Sequence, residues 1–224
     1  DCVYDVKCAN DGTILINTPP VLSVLHPQTS KFMHYISPLS YDGSVKDNNI
    51  PLFEDGNGNI WTGSTRGLAV FEPGTKTFKT FHHRAGDPLS LSDNNITALY
   101  QDQKGDLWIG TAGGLNKIAA GDIGFIHSNH DFRSGVSLSN DFIRAIIADK
   151  SGNLWIATEG GGLNRLGRNR EGAVLNERFS ADVSGLNHNI NLSLMIDNSD
   201  NLWIGTLSGL NKTDLKKRNF KLYR

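Results

Sequence analysis

Tryptophan recurs at one interval in this chain, and that interval restricts the fold more than any single residue does. Trp61, Trp108, Trp155 and Trp203 are 47, 47 and 48 residues apart. Each sits in the same phrase: Gly-Asn-Ile-Trp-Thr-Gly-Ser, Gly-Asp-Leu-Trp-Ile-Gly-Thr, Gly-Asn-Leu-Trp-Ile-Ala-Thr and Asp-Asn-Leu-Trp-Ile-Gly-Thr. A weaker fifth copy begins at Gly12 and has Leu15 in the tryptophan's place, 46 residues before Trp61. A period in the forties built on strand-like phrases means an array of small sheets, one per repeat.

The copy around Trp108 shows the unit. Residues 95–101 are rich in β-formers and free of Gly and Pro, which predicts a first strand. Asp102 to Asp106 reads as a tight turn, with the aspartate bonding backbone ahead of it and Gly105 supplying a positive φ. Residues 107–111 form the second strand, with Leu107, Ile109 and Thr111 on one face and Trp108 and Gly110 on the other. Apolar residues on both faces require a sheet covered on both sides. Gly110, like Gly63 and Gly205, leaves room beside its tryptophan for the adjoining sheet, and Ala157 nearly does. A turn at 112–114, a third strand from Leu115 and an outer strand around Phe125 complete four strands.

Four-stranded antiparallel sheets of about 47 residues, buried on both faces and repeated, fit an all-β fold, the β-propeller, with the tryptophans packed between blades. Five blades are expected, at about 1–40, 41–88, 89–135, 136–184 and 185–224, which either close on their own or form part of a larger ring. The chain opens at Asp1 without methionine and reads as a piece of something longer. A net charge of −1 gives no electrostatic footprint for nucleic acid. No apolar run reaches the length of a membrane span, so no membrane contact is expected of this segment. Cys2 and Cys8, on one strand, would stand about 20 Å apart, too far for a disulfide.

Residues 94–116 and 139–164 closely resemble the two-component regulator propeller repeat, and the lead-in Asp87-Pro-Leu-Ser-Leu-Ser92 is typical of that family. The match is good over the second to fifth copies and loose over the first, where Ala9 replaces the turn aspartate. The resemblance implies the extracytoplasmic, periplasmic sensor part of a membrane-bound bacterial signalling protein, such as a sensor histidine kinase or hybrid two-component system. In gut-bacterial members of that kind, seven-bladed propellers sense oligosaccharides. The implied partners are an oligosaccharide ligand, further blades or a second propeller of the same receptor, and a second copy of this chain. The resemblance carries no ligand residues with it.

Internal copies separate architecture from site. Asp55, Asp102, Asp149 and Asp197 recur at one position, as the tryptophans do, and are read as turn caps. The recurring hydroxyls Ser64, Thr111, Thr158 and Thr206 have no histidine recurring beside them to act as a base. Candidates for ligand contact are instead the residues that differ between blades. Arg66 and Glu159 break otherwise small, polar turns between second and third strands, and His83, Arg84, Arg133 and His188 lie in the links between blades, which should open at the same end. No cofactor or metal is expected: the tandem His82-His83 would point to opposite faces, and no Cys or carboxylate accompanies them at zinc-like spacing. The leading expectation is a non-catalytic sensor. A propeller lyase or glycosidase, for which Glu159 alone resembles a lone rim carboxylate, and a pure interaction scaffold are the alternatives.

Overall fold

The computed structural model describes residues 3–18, 20–39, 51–121, 125–128, 137–169, 171 and 173–223. It contains five four-stranded sheets. The first holds β1 (Asp5–Cys8), β2 (Ile14–Thr18), β3 (Val21–His26) and β4 (Lys31–Ile36), and the second β5 (Leu52–Glu54), β6 (Ile60–Ser64), β7 (Gly67–Glu72) and β8 (Thr77–Phe81). The third holds β9 (Ile96–Gln101), β10 (Leu107–Thr111), β11 (Gly114–Ile118) and β12 (Phe125–Ser128), and the fourth β13 (Ile143–Ala148), β14 (Leu154–Thr158), β15 (Leu163–Arg168) and β16 (Val174–Phe179). The fifth holds β17 (Asn191–Ile196), β18 (Asn201–Thr206), β19 (Gly209–Asp214) and β20 (Lys221–Tyr223), preceded by the single-turn helix α1 (Ala181–Ser184). Within each sheet the strands stand in chain order, which is the propeller blade. Each tryptophan falls in the second strand of its sheet, as its phrase requires.

Contacts divide the chain into two compact units, Asp1–Ile109 with Lys117–Ile126, and Gly110–Asn116 with His127–Arg224. In the first unit, Leu15, Leu22 and Val24 of the first sheet pack with Leu52, Ile60 and Phe71 of the second. Trp61, Phe53, Leu68 and Phe81 of the second sheet pack in turn with Ile96, Leu107, Ile109, Ile118 and Phe125 of the third. In the second unit, Trp155, Leu163 and Phe179 pack against Leu202 and Ile204 of the fifth sheet. Trp61 and Trp155 are therefore the inter-blade filling that their two-faced strands called for. The lead-in leucines Leu91 and Leu138 are fully buried.

Gly63 has the packing reason read from its phrase: an added Cβ would lie 2.7 Å from Ile96 Cγ2 in the next sheet. Gly205 does not, because its obstacle is Ser193 in the neighbouring strand of its own sheet. The third strand of the third sheet starts at Gly114, one residue before the position expected from Leu115. The first sheet, which lacks the turn aspartate, closes its turn with Asp11, whose Oδ1 accepts the Thr13 N–H at 2.8 Å and the Thr13 hydroxyl at 2.7 Å. Those two bonds hold the Asp11 carboxyl below its ordinary range. Cys8 is an exposed free thiol at the end of β1, and Cys2 lies outside the described residues.

Two faces are left apolar and open. In the first sheet Val6, Phe32 and Ile36 share one face and are 54%, 52% and 75% exposed. In the fifth, Met195, Leu210 and Tyr223 share the face of Trp203 and are likewise exposed.

Candidate ligand-binding site

The four repeated aspartates are bound to the four repeated tryptophans. The indole N–H of Trp61 donates to Asp55 Oδ2 at 2.9 Å, Trp108 to Asp102 at 3.0 Å, Trp155 to Asp149 at 3.2 Å and Trp203 to Asp197 at 2.9 Å. In each pair Oδ1 also accepts the backbone N–H groups two and four residues ahead, as Asp149 does from Ser151 and Asn153, both at 3.0 Å. The carboxylate thus caps the turn with one oxygen and anchors the second strand's indole with the other. The Trp203 indole and the Asn201 amide lower the Asp197 carboxyl well below the usual carboxylate range. These carboxylates are structural, and sequence reasoning recognised only their turn-capping half.

The end carrying the turns between second and third strands is tied to the links, as expected. Arg66 is exposed, and its carbonyl accepts the His82 Nδ1–H at 2.9 Å. His83 takes the opposite direction, its backbone N–H donating to Asn94 Oδ1 and its ring Nδ1–H to the Leu91 carbonyl, both at 2.7 Å. Arg84 is exposed, 3.8 Å from Asp87, with its backbone held by Ser90. Arg66, His83 and Arg84 therefore gather around one link in the first unit. In the second unit, Glu159 is ion-paired with Arg144. The turn it opens is stitched to the next lead-in, the Gly160 and Gly162 N–H groups donating to the Asn189 carbonyl at 3.1 and 2.9 Å. His188 stands beside that segment, and its Nδ1 accepts the Ile190 N–H at 2.9 Å. It occupies the turn position that Asp93 and Asn140 hold in earlier blades, where their oxygens accept the Asn95 and Phe142 N–H groups. Arg133 lies outside the described residues.

A second repeated polar group went unrecognised in the sequence. Asn116, Asn164 and Asn211, each in a Gly-Leu-Asn phrase on the third strand, are completely buried. Asn164 clamps the lead-in of its own blade, its Nδ2 donating to Ser139 Oγ at 2.6 Å and its Oδ1 accepting the Ser139 N–H at 3.0 Å. Asn211 donates to Asn187 Oδ1, which also accepts from the Thr206 hydroxyl at 2.9 Å. Among the described residues, no group of three or more His, Cys, Asp or Glu side chains is placed to hold a metal ion.

Open space lies at the other end of the blades, beside the turns after the first and third strands. One cleft of about 690 Å³ separates the first and second sheets, walled by Val24, Met33, Tyr35, Glu54 and Phe71. Tyr35 and Phe71 are in ring contact there, 4.3 Å between centroids. Another of about 580 Å³ separates the second and third sheets, beside Trp61, Val70, Lys79, Phe81 and Gln103. Both are of a size suited to a small ligand. At each, the last residue of an inner strand accepts a backbone N–H from the preceding blade's turn: Glu54 from Asn10 at 2.7 Å and Gln101 from Gly56 at 2.8 Å.

The pattern of the two component regulator propeller family matches residues 90–113, 137–160 and 184–208. Three stretches of the chain match that repeat. Each matched repeat runs from the lead-in through the first strand and the capped turn to the end of the tryptophan strand. No curated protein matches the sequence. Among solved structures, the chain shares its fold with the extracellular domain of hybrid two component system BT3049 from B. thetaiotaomicron, at 21% identity and a TM-score of 0.76 over 98% of this chain and 29% of that one. It is similar to PorZ, a bacterial surface component of the type-IX secretion system of Porphyromonas gingivalis, at 21% identity and a TM-score of 0.72 over 95% of this chain and 32% of that one. It is also similar to virginiamycin B lyase from Staphylococcus aureus, at 13% identity and a TM-score of 0.69 over 99% of this chain and 69% of that one. The propeller repeats described here span about a third of the length of the first two.

Proposed function

We propose that this chain is a non-catalytic, ligand-binding propeller module of a bacterial two-component receptor, lying outside the cytoplasm and responding to an oligosaccharide. The observation that carries the reading is the set of three matched repeats, whose family description joins propeller architecture to two-component regulation. Similarity to chains described as extracellular domains of hybrid two component systems supports the location. The carboxylates favour binding over chemistry: four are bound to indoles, and Glu159, which breaks the pattern of the turns between second and third strands, is ion-paired with Arg144. A two-carboxylate hydrolysis needs a free acid and a free base facing each other, which these pairings oppose. The open apolar faces of the first and fifth sheets suit packing against further blades, a second propeller or a second copy of the chain.

Calorimetric titration with a panel of neutral and acidic oligosaccharides, with the same mixtures assayed for new reducing ends and unsaturated products, tests the reading. Saturable binding without product is expected. Turnover of any bound glycan would replace the sensor by an enzyme, and a flat response across the panel would remove the oligosaccharide.

A further inference from the structure

Each of the four tryptophans has a cross-strand neighbour on the third strand, and in three sheets that neighbour sets a cation near the indole. In the fifth sheet Trp203 pairs with Lys212, whose ammonium lies 4.8 Å from the ring centroid. In the third, the Lys117 ammonium lies 5.4 Å from Trp108 and is ion-paired with Asp106. In the fourth, Trp155 pairs with Arg165, whose guanidinium is 5.8 Å from the indole. Arg165 is 3.4 Å from Glu177, which also binds Arg218 of the following sheet. That ionic cover closes the groove, and Trp155 is completely buried.

The second sheet departs from this rule. Trp61 pairs with Val70, and Val70 with Lys79. Among the described residues no cation lies over the Trp61 indole; Trp61 is half-buried, as Trp108 and Trp203 are, and the cleft of about 580 Å³ opens beside it. Phe81 extends the aromatic wall, stacked 6.0 Å from Trp61. The charges around the cleft are already matched: Lys79 is held 2.5 Å from Glu72, and Asp55 and Asp102 are taken by indole N–H groups. The side-chain amides of Asn57 and Gln103 are exposed and make no hydrogen bond within the described residues. An aromatic platform rimmed by uncommitted amides, with its charges neutralised, suits a ligand with one apolar face and an edge of hydroxyls.

We propose that this cleft is a saccharide subsite, in which the open part of Trp61 carries the C–H face of a neutral pyranose ring and the Asn57 and Gln103 amides meet its hydroxyls. The proposal rests on the ligand-binding reading above and adds the place and the ligand class. It also sets the subsite at the opposite end of the blades from Arg66 and His83.

Indole N–H resonances of the 15N-labelled chain give one signal per tryptophan, with Trp61 assigned from Trp61→Phe. The probes are cellohexaose, xylohexaose, laminarihexaose and maltohexaose, with hexagalacturonate as the acidic comparison. A neutral glycan is expected to bind and to move the Trp61 signal more than the other three. Val70→Lys, which brings to Trp61 the ammonium that Lys117 sets near Trp108, should weaken that binding at least about tenfold. Gln103→Ala, in an exposed turn that tolerates truncation, should weaken it about threefold and serves if the buried lysine harms folding. Neutral-glycan binding that leaves Trp61 silent, or that both variants retain in full, overturns the subsite while the receptor reading stands. Binding of hexagalacturonate alone overturns the neutral class, and no binding by any probe overturns the oligosaccharide reading together with the subsite.

Discussion

Replacing Trp155 by phenylalanine isolates the bond that joins each turn to its strand. The ring stays in the inter-blade cluster, so the loss has two parts. The indole N–H to Asp149 bond is made to a charged acceptor 7% exposed, by a side chain with no exposure at all; such bonds contribute about 1.5–3 kcal/mol. The smaller ring forfeits about 1 kcal/mol of buried apolar surface. Trp155→Phe should therefore cost about 3 kcal/mol. Asp149→Ala should cost about as much, because the indole it abandons cannot reach water. Both changes break one contact, so the double variant should fall short of their sum by about 1.5–2 kcal/mol. The same cycle at Asp197 and Trp203, where both residues are partly exposed, should show a clearly smaller coupling, since water replaces the lost partner. Urea unfolding followed by far-UV circular dichroism gives all seven stabilities. Additivity at Asp149–Trp155 within about 0.5 kcal/mol would refute the claim that the bond secures the blade.

Gly67→Ala should destabilise by at least about 2 kcal/mol, since φ is +130° there and the new Cβ would sit 2.5 Å from the Phe81 carbonyl oxygen; Gly74→Ala, with open space around it, should be neutral in the same thermal melts. The Asp197 carboxyl is depressed in the folded chain, so its contribution is complete above the unfolded carboxylate value of about 3.9 and is lost as pH falls through the lower folded value. Asp197→Asn should accordingly flatten the stability curve below about pH 4, and an unchanged acid limb would count against the assignment. Arg165→Val should uncover Trp155 and raise its acrylamide quenching when the other three tryptophans are phenylalanine; unchanged quenching would mean that the ionic cover does not close that groove.

The phrase around each tryptophan made the strands legible, because alternation with apolar residues on both faces admits a doubly covered sheet and little else. The capped turn was legible for the same reason: aspartate, two polar residues and glycine have few other uses between strands. The indole–carboxylate bond was hidden although its signal was present. The aspartate stands six residues before the tryptophan in all four copies, but six residues across a turn show as proximity only once the register is fixed. The buried asparagines repeat after Gly-Leu in three copies, but a polar residue on a strand shows its partner only once the fold brings the lead-in against it. Candidate residues were sought at the turns between second and third strands, where the copies visibly differ. The clefts lie elsewhere, and the residue across from Trp61 in one of them is Val70, an ordinary strand residue that is informative only against Lys117, Arg165 and Lys212 in the other blades.

The position opposite the indole tolerates valine, lysine and arginine on the same backbone ladder. Scaffold and specificity are consequently uncoupled within a blade: one codon sets whether an apolar or a cationic side chain meets the indole while the anchored turn beside it goes untouched. An array built this way can acquire a new recognition surface by drift at a single column, with neither a loop insertion nor a loss of foldedness on the way.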